Sequence, residues 1–446
     1  MEYDLFVIGG GSGGVRSARY ASEKGFKVGI AETKDLGGTC VNRGCIPKKL
    51  YSYASHFSSE RKIMESFGWN ISKIDFSWEK LVRNKKKELL RLNKIYKSLL
   101  ENSGVKIFKN WASFNTKGEL VLDRKKIIKS KKIIIATGGR PRRLNIDGAE
   151  YCITSDEAFD LKHMPKRILI IGAGYIAVEF ASIFNGLGVE TIICFRGEHI
   201  LSSFDEDASK FLQNEMTKKG IKFLPKTLPD KVKRISEGYK VFFKDKKYKI
   251  VDQVMFATGR VPMTENLGLE NLKINRNTNG SIEVNGYFQT SNKDVYAIGD
   301  IIDRIQLTPV AINEAMFLID YLKKKKKKFF SYNNIPTAVF SDPNLSTVGL
   351  TEEQARKKYK KIKIFKNEFR PLKLSLTKFN EKVLIKLIVD ASSDKVVGLH
   401  FVGADAGEII QGFSVAIVNG LKKSDFDKTM GVHPSTAEEI VTLKSK

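Results

Sequence analysis

Two cysteines five residues apart, Cys40 and Cys45, and a histidine followed five residues later by a carboxylate, His433 and Glu438, are the side chains here best suited to chemistry. The other two of the four cysteines, Cys152 and Cys194, are isolated, and four is too few for a disulfide-stapled secreted scaffold of this length. A close thiol pair in a reducing setting points to catalysis or to metal binding. Zinc sites prefer a spacer of about two residues and need further ligands, and none of the five histidines falls into a matching cluster. Two unrelated buried thiols are the plainer alternative. The setting of the pair argues for redox work: the run reads Gly37-Gly38-Thr39-Cys40-Val41-Asn42-Arg43-Gly44-Cys45-Ile46-Pro47-Lys48-Lys49. Near the other end, a helix starting after Ser435 puts Glu438 where it orients the His433 imidazole as a general acid/base.

Redox chemistry needs an electron donor, and the sequence offers two cradles for one. Gly9-x-Gly11-x-x-Gly14, with Ser12 and Gly13 inside it, follows the apolar run 5–8. Such a turn lets backbone approach a pyrophosphate at a helix N-terminus. The next strand, 27–31, ends in Glu32, an acid placed to hold an adenosine ribose diol. The second cradle, Gly172-Ala173-Gly174-Tyr175-Ile176-Ala177, follows the apolar run 168–171. Its next strand, 191–195, ends without an acid, and Arg196 stands beside the place an acid would take. An acid repels a 2′-phosphate and an arginine pairs with it, so this site favours NADPH over NADH.

The elements that carry these residues repeat. Each glycine turn is answered by an apolar strand ending in Ala-Thr-Gly, at 133–138 and at 254–259, which implies two nucleotide-binding domains built on one logic. The first copy is longer; its insert holds the cysteine pair and a charged helical stretch over 76–102. A third region closes on Val295-Tyr296-Ala297-Ile298-Gly299-Asp300. From about residue 336 the pattern changes to strands near 338, 361–365, 383–389 and 396–402, then a helix from about 406, an α+β domain with an antiparallel sheet.

At 446 residues the chain exceeds what one core usually supports, and 42% apolar with 28% charged residues is ordinary for a globular protein. No apolar run approaches the roughly 18–20 residues needed to span a bilayer. The start lacks the basic stretch of a signal peptide, so the expected location is the cytoplasm, or whatever compartment a lost targeting segment would have named. The net charge of +27 is dispersed, with Ile, Asn and Phe abundant as well, which reads as a compositional bias; neither nucleic acid nor membrane is expected as a partner. The densest run, 323–328, follows a helix-like stretch over 309–322 and reads as a solvated helix end. The overall field still draws anionic substrates.

The cysteine segment resembles the active-site motif of the glutathione reductase family within the pyridine nucleotide–disulfide oxidoreductases. Matching stretches recur at 172–181, 257–262, 297–300, 307–311, 335–350 and 433–439, so the resemblance covers almost the whole chain. Pro47-Lys48-Lys49 is similar to that family, whereas dihydrolipoamide dehydrogenases usually carry Pro-Ser-Lys; the end at Lys446 shows no extra cysteine pair of the kind found in mercuric and large thioredoxin reductases.

The resemblance implies an α/β fold with two Rossmann-like dinucleotide-binding domains and a C-terminal α+β dimerisation domain. It divides the chain into an FAD domain at 1–145, an NADPH domain at 146–265, a return segment at 266–335 and an interface domain at 336–446. It implies a Cys40–Cys45 redox disulfide, with Cys45 nearer the flavin and Cys40 attacking the substrate. Ser12, Gly13, Glu32, Thr39, Gly138, Asp300 and Thr308 are expected at FAD, Lys48 beside its N5 and paired with Glu179. Tyr175 is expected over the nicotinamide pocket, with Gly259 nearby in the NADPH site. Arg19 and Tyr96 match substrate-side positions, and Arg16, one helical turn from Arg19, is expected beside them. The implied activity is NADPH-dependent reduction of oxidised glutathione by a homodimer; the alternative is the same machinery acting on another disulfide such as dihydrolipoamide. Two departures bear on this: Met316 stands where some relatives bind glutathione with an arginine, and Ser202 replaces a second arginine that many relatives use for the 2′-phosphate.

Overall fold

The computed structural model describes residues 2–72, 75–324 and 328–444. Half of the lysine run expected as a solvated helix end, residues 325–327, falls outside the described residues, as does Lys446. The chain divides into two compact units that it enters alternately: Met1–Lys48, Glu79–Arg142 and Arg260–Ser331 form one, and Lys49–Trp78, Arg143–Gly259 and Tyr332–Lys446 the other.

The first unit is built on a five-stranded parallel sheet in the order Val295–Ala297, Lys129–Ile135, Glu2–Ile8, Val28–Ala31, Lys106–Phe108. Its central strand is an almost continuous apolar run because a parallel strand is covered on both faces; Leu5, Phe6, Val7 and Ile8 are all buried. The register pairs Ile8 with Ala31 on one side and with Ile135 on the other, and Ala297 with Ile135. The carboxyl ends of four strands therefore lie level, and the segments beginning at Gly9, Glu32, Ala136 and Ile298 leave from one edge. That edge is where open α/β sheets bind ligands. The helix Ser12–Glu23 packs on the helix Thr308–Lys324, and the small buried Gly13, Gly14, Ser17, Ala18 and Ala21 line its inner face. A three-stranded antiparallel ribbon (Ala112–Phe114, Leu120–Leu122, Lys126–Ile127) and a two-stranded pairing of Gly139–Pro141 with Arg260–Pro262 complete the unit.

In the second unit, a parallel sheet runs in the order Lys222–Leu224, Glu190–Cys194, Arg167–Ile171, Gln253–Phe256. An antiparallel ribbon of Pro229–Ile235, Gly238–Phe243 and Tyr248–Val251 lays Val232, Val241, Phe243 and Val251 on that sheet's core. Cys152 and Cys194 lie in the same core as free thiols, and burial pushes both up to about 12. The C-terminal part is an antiparallel sheet in the order Thr337–Val339, Asn344–Gly349, Val396–Gly403, Val383–Asp390, Ile362–Phe369, packed by the helix Ala406–Val418. Every residue of Val383–Asp390 is buried, Lys386 included. Its ammonium sits 2.9 Å from Asp205, 2.9 Å from Asp207 and 2.7 Å from Glu352, so the buried charge is well paired. Among the described residues no helix is long and apolar enough to cross a membrane.

Candidate active site

The cysteine segment begins where Gly37 donates its N–H to the carbonyl of Gly10 at 2.8 Å, which ties it to the first glycine turn. Thr39 and Cys40 lie on the short helix Gly38–Arg43. Gly44 breaks it at φ −153° and ψ −115°, and Cys45 opens the helix Cys45–Ser66. Pro47 is tolerated there because first-turn N–H groups have no intrahelical partner. Asn42 donates to the carbonyls of Leu36 and Gly38 at 3.1 and 3.0 Å, and accepts from Asn93 at 2.9 Å. Asn93 also donates to Leu36 at 3.0 Å, so the long helix Trp78–Asn102 braces the segment.

Both cysteines are free thiols, and Cys40 is hydrogen-bonded to Cys45. That bond, then burial, then the charge of Cys45 push the Cys40 thiol well above its ordinary value. Thr308 and the Lys48 ammonium act in the opposite sense but do not outweigh them. Thr308 Oγ1 lies 3.6 Å from Cys45 Sγ. Burial raises the Tyr96 phenol first; charge on Cys40 and Cys45 adds to the rise, while Arg16 and Arg19 oppose it. The three expected substrate-side residues are thus within electrostatic reach of one another, and Tyr96 within reach of the thiols. Arg19 is 3.9 Å from Glu23, and its buried Nε has no hydrogen-bond partner.

Both glycine turns have the features a pyrophosphate needs. The helices Ser12–Glu23 and Tyr175–Gly186 start at Gly11 and Gly174 with no side-chain cap, whereas Glu206–Lys218 and Glu352–Lys358 are capped by Asp205 and Thr351. Uncapped N–H groups and the helix dipole favour an anion there. A Cβ on Gly14 would stand 1.9 Å from the Gly9 carbonyl, so the turn closes only around glycine. A Cβ on Gly172, at φ +134°, would stand 2.2 Å from the Ala257 carbonyl oxygen, so this turn too closes only around glycine. Gly138, Gly174 and Gly259 each leave open space where a side chain would stand.

Glu32 accepts from Gly10 N at 2.7 Å and from Lys34 N at 2.8 Å, which fixes the acid at its strand end. Asp300 is raised by burial, against the pull of Arg260, whose Nε lies 3.8 Å away. The same guanidinium donates to the Gly139 carbonyl and, at 3.4 Å, to Thr39 Oγ1. Buried Glu314 accepts from Gly299 N at 2.7 Å and so sets the loop that presents Asp300. Arg260, Glu314 and Asn93 were not singled out from sequence, since their partners are remote along the chain.

In the second unit Tyr175 is 40% exposed at the helix start, and Glu179, one turn on, is buried with its Oε1 accepting from Phe340 N at 2.9 Å. Arg196 is exposed just past Glu190–Cys194, and Ser202 is exposed at the far end of the same loop. His433 is 83% exposed, with Nδ1 at 3.1 Å from Glu438 Oε1 and 3.3 Å from Oε2. Glu438 is fixed in turn: it accepts from Ser435 N at 3.1 Å, and its own N–H donates to Ser435 Oγ at 3.3 Å.

Two family models match the chain: pyridine nucleotide-disulphide oxidoreductase over residues 3–315, and the dimerisation domain of the same family over residues 335–444. A glutathione reductase of Nostoc sp. is 43% identical over 458 aligned residues, with all of both chains covered. One from Burkholderia cepacia is 44% identical over all of this chain and 99% of its own. A chloroplastic/mitochondrial glutathione reductase of Pisum sativum is 43% identical over all of this chain and 82% of its own.

Proposed function

The chain belongs to the pyridine nucleotide–disulphide oxidoreductase family, and we propose that it reduces oxidised glutathione to two glutathiones at the expense of NADPH, through FAD and a Cys40–Cys45 disulfide. The observation that carries this reading is the full-length similarity, at 43–44% identity, to glutathione reductases. The adjoining thiols and the two uncapped glycine turns fit the chemistry.

The residues at the first turn, with Glu32, Thr39, Gly138, Asp300 and Thr308, hold FAD; those at the second, with Arg196 and Gly259, hold NADPH. When bound, these groups supply the electron pair that opens the Cys40–Cys45 bond. Lys48 and Glu179 provide the fixed charges on which that transfer depends, and Tyr175 covers the nicotinamide pocket. Cys40 gives its proton to the partner subunit's His433 and attacks one sulfur of oxidised glutathione, the substrate S–S bond breaks, and the first glutathione leaves as thiolate. The partner subunit's His433, oriented by its own Glu438, gives that thiolate a proton. Cys45 then attacks Cys40, releases the second glutathione and re-forms the disulfide. Arg16, Arg19 and Tyr96 hold the anionic substrate beside the thiols. The assembly is a homodimer with twofold symmetry. The cytoplasm suits it, since a reducing compartment keeps Cys152 and Cys194 as thiols.

The test is NADPH consumption by the purified yellow protein with oxidised glutathione, run beside lipoamide under the same conditions. Efficient turnover of the first and little of the second is expected; the reverse order would assign another disulfide.

A further inference from the structure

The ribose-reading end of the second nucleotide turn carries a single arginine, and a lysine from a neighbouring turn is clamped to the same loop. Phe195 N donates to the Leu224 carbonyl at 3.1 Å, Thr227 N to the Phe195 carbonyl at 2.9 Å, and Lys226 N to the Gly197 carbonyl at 3.0 Å. Three backbone hydrogen bonds thus fix the segment 224–227 against the loop 195–197. The loop is also tied to the glycine turn: Leu201 N donates to Ala173 O at 2.8 Å, and Gly172 N to Cys194 O at 2.9 Å. Lys226 has a left-handed backbone, φ 52°, uncommon for a lysine. Its ammonium rests 2.7 Å from the carboxylate of Glu198, both side chains being largely exposed at 69% and 76%. Arg196 has no ion-pair partner among the described residues.

We propose that Lys226 is a specificity-determining residue for NADPH: its ammonium exchanges Glu198 for the 2′-phosphate, and so supplies the second positive charge that Ser202 does not. An exposed lysine–carboxylate pair contributes little, so giving it up costs little, and a phosphate offers more charge and more acceptor oxygens. Glu198 is free to turn to solvent. The inference rests on the reading of this turn as the NADPH site.

The test uses four holoenzymes: wild type, Lys226→Met, Glu198→Gln and the double variant. The quantities are kcat/KM for NADPH and NADH, and the calorimetric Kd of adenosine 2′,5′-bisphosphate. Lys226→Met is expected to lower the NADPH-to-NADH ratio roughly fivefold and to weaken the bisphosphate by a similar factor. Glu198→Gln, which releases Lys226, raises both. Adding Lys226→Met to Glu198→Gln should again cost the same factor. If it costs nothing in that background, Lys226 merely neutralises Glu198 and the proposal is overturned. Wild type that prefers NADPH, with Lys226→Met unchanged, overturns this inference alone; wild type without a preference for NADPH overturns the reading beneath it.

Discussion

Nδ1 of His433 lies 3.1 Å from Oε1 of Glu438, and that same oxygen accepts the N–H of Ser435 at 3.1 Å. The carboxylate therefore does two jobs: it aims the imidazole and holds the turn that presents it. Loss of His433 is expected to lower kcat on the order of 100- to 10,000-fold, the usual worth of a positioned general acid. Glu438→Gln keeps an oxygen for Ser435 N but removes the charge, so kcat should fall by roughly tenfold with little change in Tm. Glu438→Ala loses both functions and should also lower Tm. Comparing kcat and Tm across the three separates the roles; equal kcat for Glu438→Gln and wild type would remove Glu438 from the reaction. The proposal that His433 serves the thiols of the partner subunit gives a second check. Mixing Cys40→Ser with His433→Ala and allowing subunits to exchange should restore about a quarter of wild-type activity, because each mixed dimer has one intact site.

The two thiols are chemically unlike, and the difference is testable without reference to turnover. The bond to Cys45, and then burial and the charge on Cys45, raise Cys40. Replacing Cys45 by serine removes that charge, so Cys40 should ionise at lower pH than in the reduced wild type. Its alkylation profile, followed by mass spectrometry at a single site, should move toward acid in Cys45→Ser. The same variant should accumulate a stable mixed disulfide with glutathione at Cys40, because nothing remains to resolve it. Cys40→Ser should accumulate none. An adduct on Cys45 in that variant would reverse the assigned order.

Much of the fold was legible because the elements that hold nucleotides are local. An apolar strand, a glycine turn and a helix start lie within about twenty residues, and the strands Glu2–Ile8 and Arg167–Ile171 precede the two glycine turns as the pattern requires. The C-terminal strands Val383–Asp390 and Val396–Gly403 also fall where the apolar runs put them. The ribbons at 112–127 and 229–251 were not foreseen. The strands of the first are only two or three residues long, too short to show a period, and in the second Lys231, Lys233 and Arg234 interrupt the apolar alternation of Pro229–Ile235. Nor was the helix Cys45–Ser66 foreseen: its buried residues are Pro47, Tyr51, Ser52 and Ser55, which carry little apolar periodicity. Within the site, the thiols, glycines and His433 were readable as types at a spacing. Asn93 bonding Asn42 across 51 residues, and Arg260 bonding Thr39 across 221, were not, because only folding brings them together.

Lys386 gives a stability prediction. It is 2% exposed and faces Asp205, which is 1% exposed and also caps the helix Glu206–Lys218. Burial alone would raise the Asp205 carboxyl, but the nearby His400, the Glu352 N–H and the Lys386 ammonium outweigh it and hold it below the ordinary carboxylate range. A depressed folded value means stability that is present above the unfolded carboxylate range and is lost as pH falls through the folded one. Lys386→Met strands the carboxylate and should destabilise the protein by about 3–5 kcal/mol at neutral pH. The difference from wild type should shrink in acid, where the carboxylate can take a proton. Urea unfolding at neutral and acidic pH measures this; a constant difference across that range would show that the ion pair is not the cause.

The last prediction concerns how strongly the enzyme prefers NADPH. Phe195 ends the ribose-reading strand segment without a carboxylate, so nothing there repels a 2′-phosphate. Arg196 is exposed and offers a charge-assisted contact, while Ser202 offers only a neutral hydroxyl, worth about 1 kcal/mol at best. Arg196→Met should therefore remove most of the preference, with the loss falling on KM for NADPH. Ser202→Arg should lower that KM and leave KM for NADH nearly unchanged, since NADH presents only a hydroxyl at that position. The gain should be modest where another cation already serves the phosphate, and larger where it has been removed, so Ser202→Arg should gain more in a Lys226→Met background than alone. Salt gives an independent reading: screening weakens a contact between exposed charges, so the NADPH preference should fall as ionic strength rises, and fall less steeply in Arg196→Met. Steady-state kcat/KM for both nucleotides at low and high salt decides it. If Arg196→Met discriminates as well as wild type at both, the phosphate is read elsewhere.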